Sequence, residues 1–205
     1  MNAKTIGLAI LAIAFLVAEP ALAHHVMGGK MPVTFGDGLL SGLGHPIIGL
    51  DHFAAVVAVG CLAAAHRAGG MLALGFVLAM MLGVAAHLYG ATVPGAEILV
   101  ALSVIALGAI LLTHRQMSTA AALALFAVVG LIHGYALGES IYGAEQTPLA
   151  AYLMGLAAIQ GVIALTSLRI AQFLMQSDAL RLRMIGAGIA GIGLAVLVQQ
   201  IVPAV

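Results

Sequence analysis

The sequence predicts an all-α, polytopic membrane protein, a six-helix transmembrane bundle left after removal of a signal peptide. Composition is the first reason. Of 205 residues, 63% are hydrophobic and 7% are charged, whereas a soluble globular domain carries about 25% charged residues. Length is the second: at about 20 apolar residues per span, the chain holds about six or seven spans with short loops and no separate soluble domain. The third is the stretch His45-Pro46-Ile47-Ile48-Gly49-Leu50-Asp51-His52, which sets two imidazoles and a carboxylate directly before an apolar run. Ionisable groups are costly at membrane depth, so an intramembrane His or Asp marks a functional site by default.

Residues 1–23 have the pattern of a secretory signal peptide, with Lys4 as the positive region, Ile6 to Val17 as the apolar core and Ala21-Leu22-Ala23 as a small-residue cleavage site. Cleavage there makes His24-His25 the mature N-terminus, where an amine and two imidazoles lie together and can hold a metal loosely. Residues 24–36, with Gly28, Gly29, Pro32 and Gly36, form a periplasmic N-terminal segment. Residues 37–205 form the membrane domain. Its first helix runs from about Asp37 to Ala65 and is interrupted near Gly44-His45-Pro46. The next five run about Gly70–Gly90, Gly95–Thr113, Thr119–Ser140, Pro148–Leu174 and Met184–Val202.

Arg67, Arg115, Arg169, Arg181 and Arg183 fall at the end joined by the first, third and fifth connections, and Lys30 falls at the other. The positive-inside rule puts those connections in the cytoplasm and both mature termini in the periplasm of a bacterial inner membrane. A signal peptide independently predicts an outside N-terminus. The acids lean the other way: Asp37, Glu97, Glu139 and Glu145 lie near the outer ends, against Asp178 inside. Negative charge at an entrance concentrates cations. Formal net charge is zero and the cations are scattered, which gives no footing for nucleic acid. The lone Cys61 has no internal disulfide partner and packs as a small apolar residue. Gly186, Gly188, Gly191 and Gly193 assign the last helix to close packing. Gln160, Thr166 and Ser167 on the fifth helix either bond neighbouring backbone or line a path.

Histidine carries the chemistry. Imidazole is the commonest metal ligand and the usual proton carrier near neutral pH. On a regular helix His45 and His52 lie within about 20° of one face, with Gly49 leaving space between them, while Asp51 points about 100° away. Asp51 is then a direct ligand only if the backbone is distorted, for which Pro46 gives cause, or otherwise a partner that orients a histidine. A rise of about 1.5 Å per residue places His87 about 25 Å and His133 about 21 Å above the cytoplasmic ends of their helices, level with His45 and His52. The expected metal set is therefore His45, Asp51, His52 and His133, with His87 as a fourth ligand or gate and Glu139 beside it, fed by His24, His25 and the outer acids. Imidazole with carboxylate suits nickel, cobalt, zinc or copper(II) over magnesium and calcium.

The arrangement resembles the HupE/UreJ family of nickel/cobalt permeases. That family has a cleavable signal, six helices, a first-helix motif His-Pro-x4-Asp-His and a fourth-helix motif centred on His-Gly. The first motif is intact here. The second, usually Phe-His-Gly-x-Ala-His-Gly-x-Glu, reads Ile132-His133-Gly134-Tyr135-Ala136-Leu137-Gly138-Glu139-Ser140. Leu137 takes the place of the second histidine and Ser140 that of the acid, with Glu139 one residue early. The resemblance implies a non-enzymatic secondary permease taking up Ni2+ or Co2+ as cargo, with no prosthetic group. Its implied partners are the metal ion, the bilayer and the machinery that loads hydrogenase, urease or cobalamin; a second copy of the chain is a candidate partner on which the residues are silent. No phosphate loop of the type Gly-x4-Gly-Lys-Ser/Thr occurs. Two other readings stand beside it: a channel for protons or a small neutral molecule with a histidine relay, and an intramembrane metal-dependent hydrolase that activates water on zinc.

Overall fold

The structure, a computed structural model, describes residues 30–113, 115–177 and 179–202. Among them there are seven helices and no strand: α1 Phe35–Ile48, α2 Leu50–Ala63, α3 Gly69–Leu88, α4 Ala96–Leu112, α5 Thr119–Glu139, α6 Gln146–Ser177 and α7 Ala179–Ile201. The expected signal peptide, His24 and His25 lie outside the described residues.

Four helices, α3, α5, α6 and α7, are long and apolar enough to cross a membrane, and α1 with α2 makes a fifth span bent by 76°. The 17 residues of α4 reach about 25 Å, a little under a bilayer core. The six predicted units are thus present, five as single helices and one as a broken pair. This is a multi-pass membrane bundle, and its surface says so. Met71, Leu74, Leu78 and Leu82 form an exposed stripe along α3, while the interior holds Ser41, His45, Asp51, His52, Ser103 and His133.

The break in the first span is displaced from the expected Gly44-His45-Pro46. Pro46 sits inside the last turn of α1, and the chain departs from helix at Gly49, with φ −73° and ψ 97°. Proline removes one donor and crowds the preceding turn, and Gly49 just beyond it has little helical preference and wide backbone freedom, so the chain leaves the helix there. Gly49 N still donates to His45 O at 2.9 Å, and Phe53 N donates to Gly49 O at 2.9 Å. At its other end α1 opens with a capping box in which Thr34 and Asp37 bond each other's backbone N–H. Asp37 is thereby a helix cap.

The helices pack in three tight pairs: α1 with α6, α3 with α5 and α4 with α7. Glycine allows the approach, since a lipid-filled membrane gives no hydrophobic drive between helices and close van der Waals packing must serve instead. At Gly134 an added Cβ would run into the carbonyl of Met80, and at Gly155 it would lie 2.6 Å from Leu39 O. On α7, Gly186 and Gly193 pack against α4, while Gly188 and Gly191 have nothing within 4 Å. The packing role expected of that helix therefore falls on two of its four named glycines. Cys61 is buried, with Sγ 4.0 Å from Ser167 O. The ends agree with an alternating topology: Arg183 Nε donates to Leu112 O at 3.0 Å at one end, and Val93 N donates to Tyr135 Oη at 3.0 Å at the other.

Candidate metal site

The bend at Gly49 brings the first motif into the middle of the bundle. His45, from the last turn of α1, is 4% exposed; Asp51 and His52, from the first turn of α2, are 3% and 2% exposed. The rings of His45 and His52 lie 5.9 Å apart, nearly perpendicular, so they face one another across a broken backbone and not along one helix face. A Cβ on Gly49 would fall 3.0 Å from His52 Cδ2 and 3.3 Å from an Asp51 carboxylate oxygen. The absent side chain gives these two groups their room. Asp51 Oδ1 accepts from His52 N at 2.8 Å, which sets its negative charge at the positive end of α2.

From α5, fully buried His133 completes a line. His52 Nδ1 and His133 Nδ1 are 3.0 Å apart, and His133 Nε2 is 2.8 Å from Ser103 Oγ on α4. Ser103 Oγ donates its single proton to Val100 O at 2.7 Å. It must then accept from His133 Nε2–H, which leaves His133 Nδ1 as an acceptor and makes His52 the Nδ1–H donor. The lone pair of the His52 ring consequently lies on Nε2. Ser103 is the residue that sequence reading missed. A lone serine in an apolar run has no motif, and only the packing of α4 against α5 gives it a partner.

The remaining predicted residues divide. His87, at the end of α3, stacks edge-on with Tyr135 and Tyr142, at ring distances of 4.6 and 5.6 Å. Its ring contacts are to these tyrosines, away from the histidine line. Glu139 is exposed at the end of α5, while its neighbour Ser140 turns inward. Ser140 Oγ lies 3.1 Å from Tyr152 Oη, and both donate to Leu137 O. Tyr152, fully buried on α6, reaches the His45 ring at 6.4 Å. The rotation of about 100° between adjacent helix positions thus separates Glu139 from the buried line and puts Ser140 toward it. Leu137 is fully buried.

Among the described residues, no three His, Cys, Asp or Glu side chains stand together as a metal cage. His52 Nδ1 and His133 Nδ1 are instead bonded to each other at 3.0 Å, and a cation shared by these two nitrogens must displace the proton between them. The donor chemistry still fits a borderline divalent cation: imidazoles, one carboxylate, and a hydrogen-bonded group behind His133 that orients its ring.

The profile of the HupE / UreJ protein family matches residues 11–196. The chain belongs to this family. Protein HupE of Rhizobium leguminosarum bv. viciae is 33% identical over 124 residues, a stretch covering 60% of this chain and 62% of that protein. The matched stretch is thus under two thirds of the relative's length. No solved structure matches the chain.

Proposed function

We propose that this HupE/UreJ protein is a secondary permease that carries Ni2+ or Co2+ into the cell across the bacterial inner membrane, with both mature termini outside. Family membership supports a role in metal uptake and a non-enzymatic one. The observation that carries the finer reading is the buried line His45–His52–His133–Ser103 at a broken span. Discontinuous helices at mid-membrane are where transporters hold their ions. His45, Asp51, His52 and His133 are the ligands, and His87, boxed by two tyrosines near the outer end, acts as a gate. Glu139, with His24 and His25, serves capture at the entrance. The membrane potential contributes about 2.3 kcal/mol per charge per 100 mV, and so about twice that for a divalent ion.

The test is Ni2+, Co2+ and Zn2+ titration of purified protein and uptake into proteoliposomes, beside His45→Ala/His52→Ala. Histidine-dependent binding and potential-driven uptake are expected. Uptake unchanged in the double variant would overturn the assignment. A second reading has one observation in its favour: the His52–His133–Ser103 chain of hydrogen bonds also suits a proton relay. Proton flux lost in the double variant, with no metal binding in either protein, would sustain that reading.

A further inference from the structure

Gln160 is fully buried on α6, and among the described residues neither Nε2 nor Oε1 of its amide has a hydrogen-bond partner. Buried amides in native proteins are almost always bonded, and the exceptions call for an unseen water, ion or functional role. Its place in the bundle gives the role. Tyr152, Leu156, Gln160 and Ala164 succeed one another at intervals of four and form one ridge of α6. Gly42 of α1 lies against Tyr152 and Leu156, and Gly60 of α2 lies against Ala164 and Ser167. The break at Gly49 falls between these two anchor points on one side, and Gln160 falls between them on the other. Gln160 therefore sits on α6 at the level of the break, where the carbonyl end of α1 meets the first turn of α2 with Asp51 and His52.

We propose that Gln160 is a station for the permeating divalent cation, with Oε1 as a neutral oxygen ligand at the break and Nε2–H holding the ion's remaining hydration. The inference rests on the permease reading. A neutral amide oxygen binds a cation with borderline character less firmly than imidazole or carboxylate. It offers a hand-hold that lets go, which a conduction site needs and a storage site does not. Ser167, two turns further along α6 and buried, lies in the cytoplasmic direction from it.

The experiment compares wild type, Gln160→Leu and Gln160→Glu in detergent and in proteoliposomes, with Ni2+ and Co2+ as probes. Gln160→Leu removes both unpaired polar atoms at nearly constant volume. It is expected to melt at or above the wild-type temperature, yet to raise the uptake KM at least tenfold. Gln160→Glu is expected to bind Co2+ several-fold more tightly and to turn over more slowly. Wild-type KM in Gln160→Leu would overturn the proposal and leave an ordered water as the amide's partner. A melting temperature lowered by several degrees, or failure to fold, would also overturn it, because the amide would then be a structural hydrogen-bonding group. Weaker Co2+ binding by Gln160→Glu would count the same way. Failure of the permease reading looks different: wild type itself would show no histidine-dependent metal uptake.

Discussion

Ser103→Ala is a sharp probe of the buried line. The substitution removes one oxygen and leaves the helix otherwise unchanged, since alanine is the best helix former. In the native protein Ser103 Oγ accepts from His133 Nε2 at 2.8 Å, and His133 is completely buried, so no water replaces the lost acceptor. Leaving a buried donor unpaired costs about 1–3 kcal/mol. At about 2 kcal/mol, and about 2–4 °C per kcal/mol for a chain of this size, the melting temperature falls by about 4–8 °C. The second effect is on the cation. An acceptor behind a ligating histidine fixes its tautomer and its ring, and losing such a partner typically costs about 10–100-fold in metal affinity. The assay is a thermal melt in detergent with and without Ni2+, followed by Ni2+ titration. Ser103→Thr keeps the hydroxyl and should recover most of the affinity. Wild-type melting and wild-type Ni2+ affinity in Ser103→Ala would refute the tautomer assignment and the place of His133 among the ligands.

Further outcomes follow from the same geometry. Gly134→Leu forces a side chain into the backbone of α3 and should cost at least about 3 kcal/mol, at the severe end of overpacking, read as loss of monodisperse protein in size-exclusion chromatography. Gly188→Ala and Gly191→Ala meet open space and should each stabilise the helix by about 0.5–1 kcal/mol, read as an unchanged or slightly raised melting temperature. Tyr152→Phe loses the bond to Leu137 O at 2.9 Å and should destabilise by about 1 kcal/mol, visible as a small drop in melting temperature. In a Cys61→Ala background, Arg67→Cys and Arg183→Cys should react with an impermeant thiol reagent only from the cytoplasmic face, and Lys30→Cys only from outside. The reverse pattern would overturn the topology.

Composition and the spacing of apolar runs suffice for the helices, because in a bilayer the backbone must satisfy itself within each segment. All six units end within about three residues of the expected bounds, and all but the last, which starts at Ala179 and not Met184, begin as closely. The break within the first is instructive. Pro46 signals a break, yet the chain yields three residues later at Gly49, since a proline in the last turn forfeits one bond whereas glycine yields the turn itself. The motif residues His45, Asp51 and His52 were legible because charge is rare among apolar residues. Ser103 and Tyr152 were not, because hydroxyls are common in membrane helices and acquire meaning only through neighbours from distant helices. The outward turn of Glu139 was legible in outline from the one-residue shift in the second motif.

The pairing of α1 with α6 has a consequence for biogenesis. The first span carries the buried acid and two of the buried histidines, and its partner emerges from the ribosome about a hundred residues later, since Gly42 packs against Tyr152. Until α6 arrives, the polar turn at Gly49 is in the lipid without the wall that covers it, and a bent helix with a carboxylate is a poor solitary span. The nascent protein is thus most vulnerable to degradation while α3 to α5 are being made. Chains truncated before Gln146 should be cleared by membrane quality control, however sound their remaining helices.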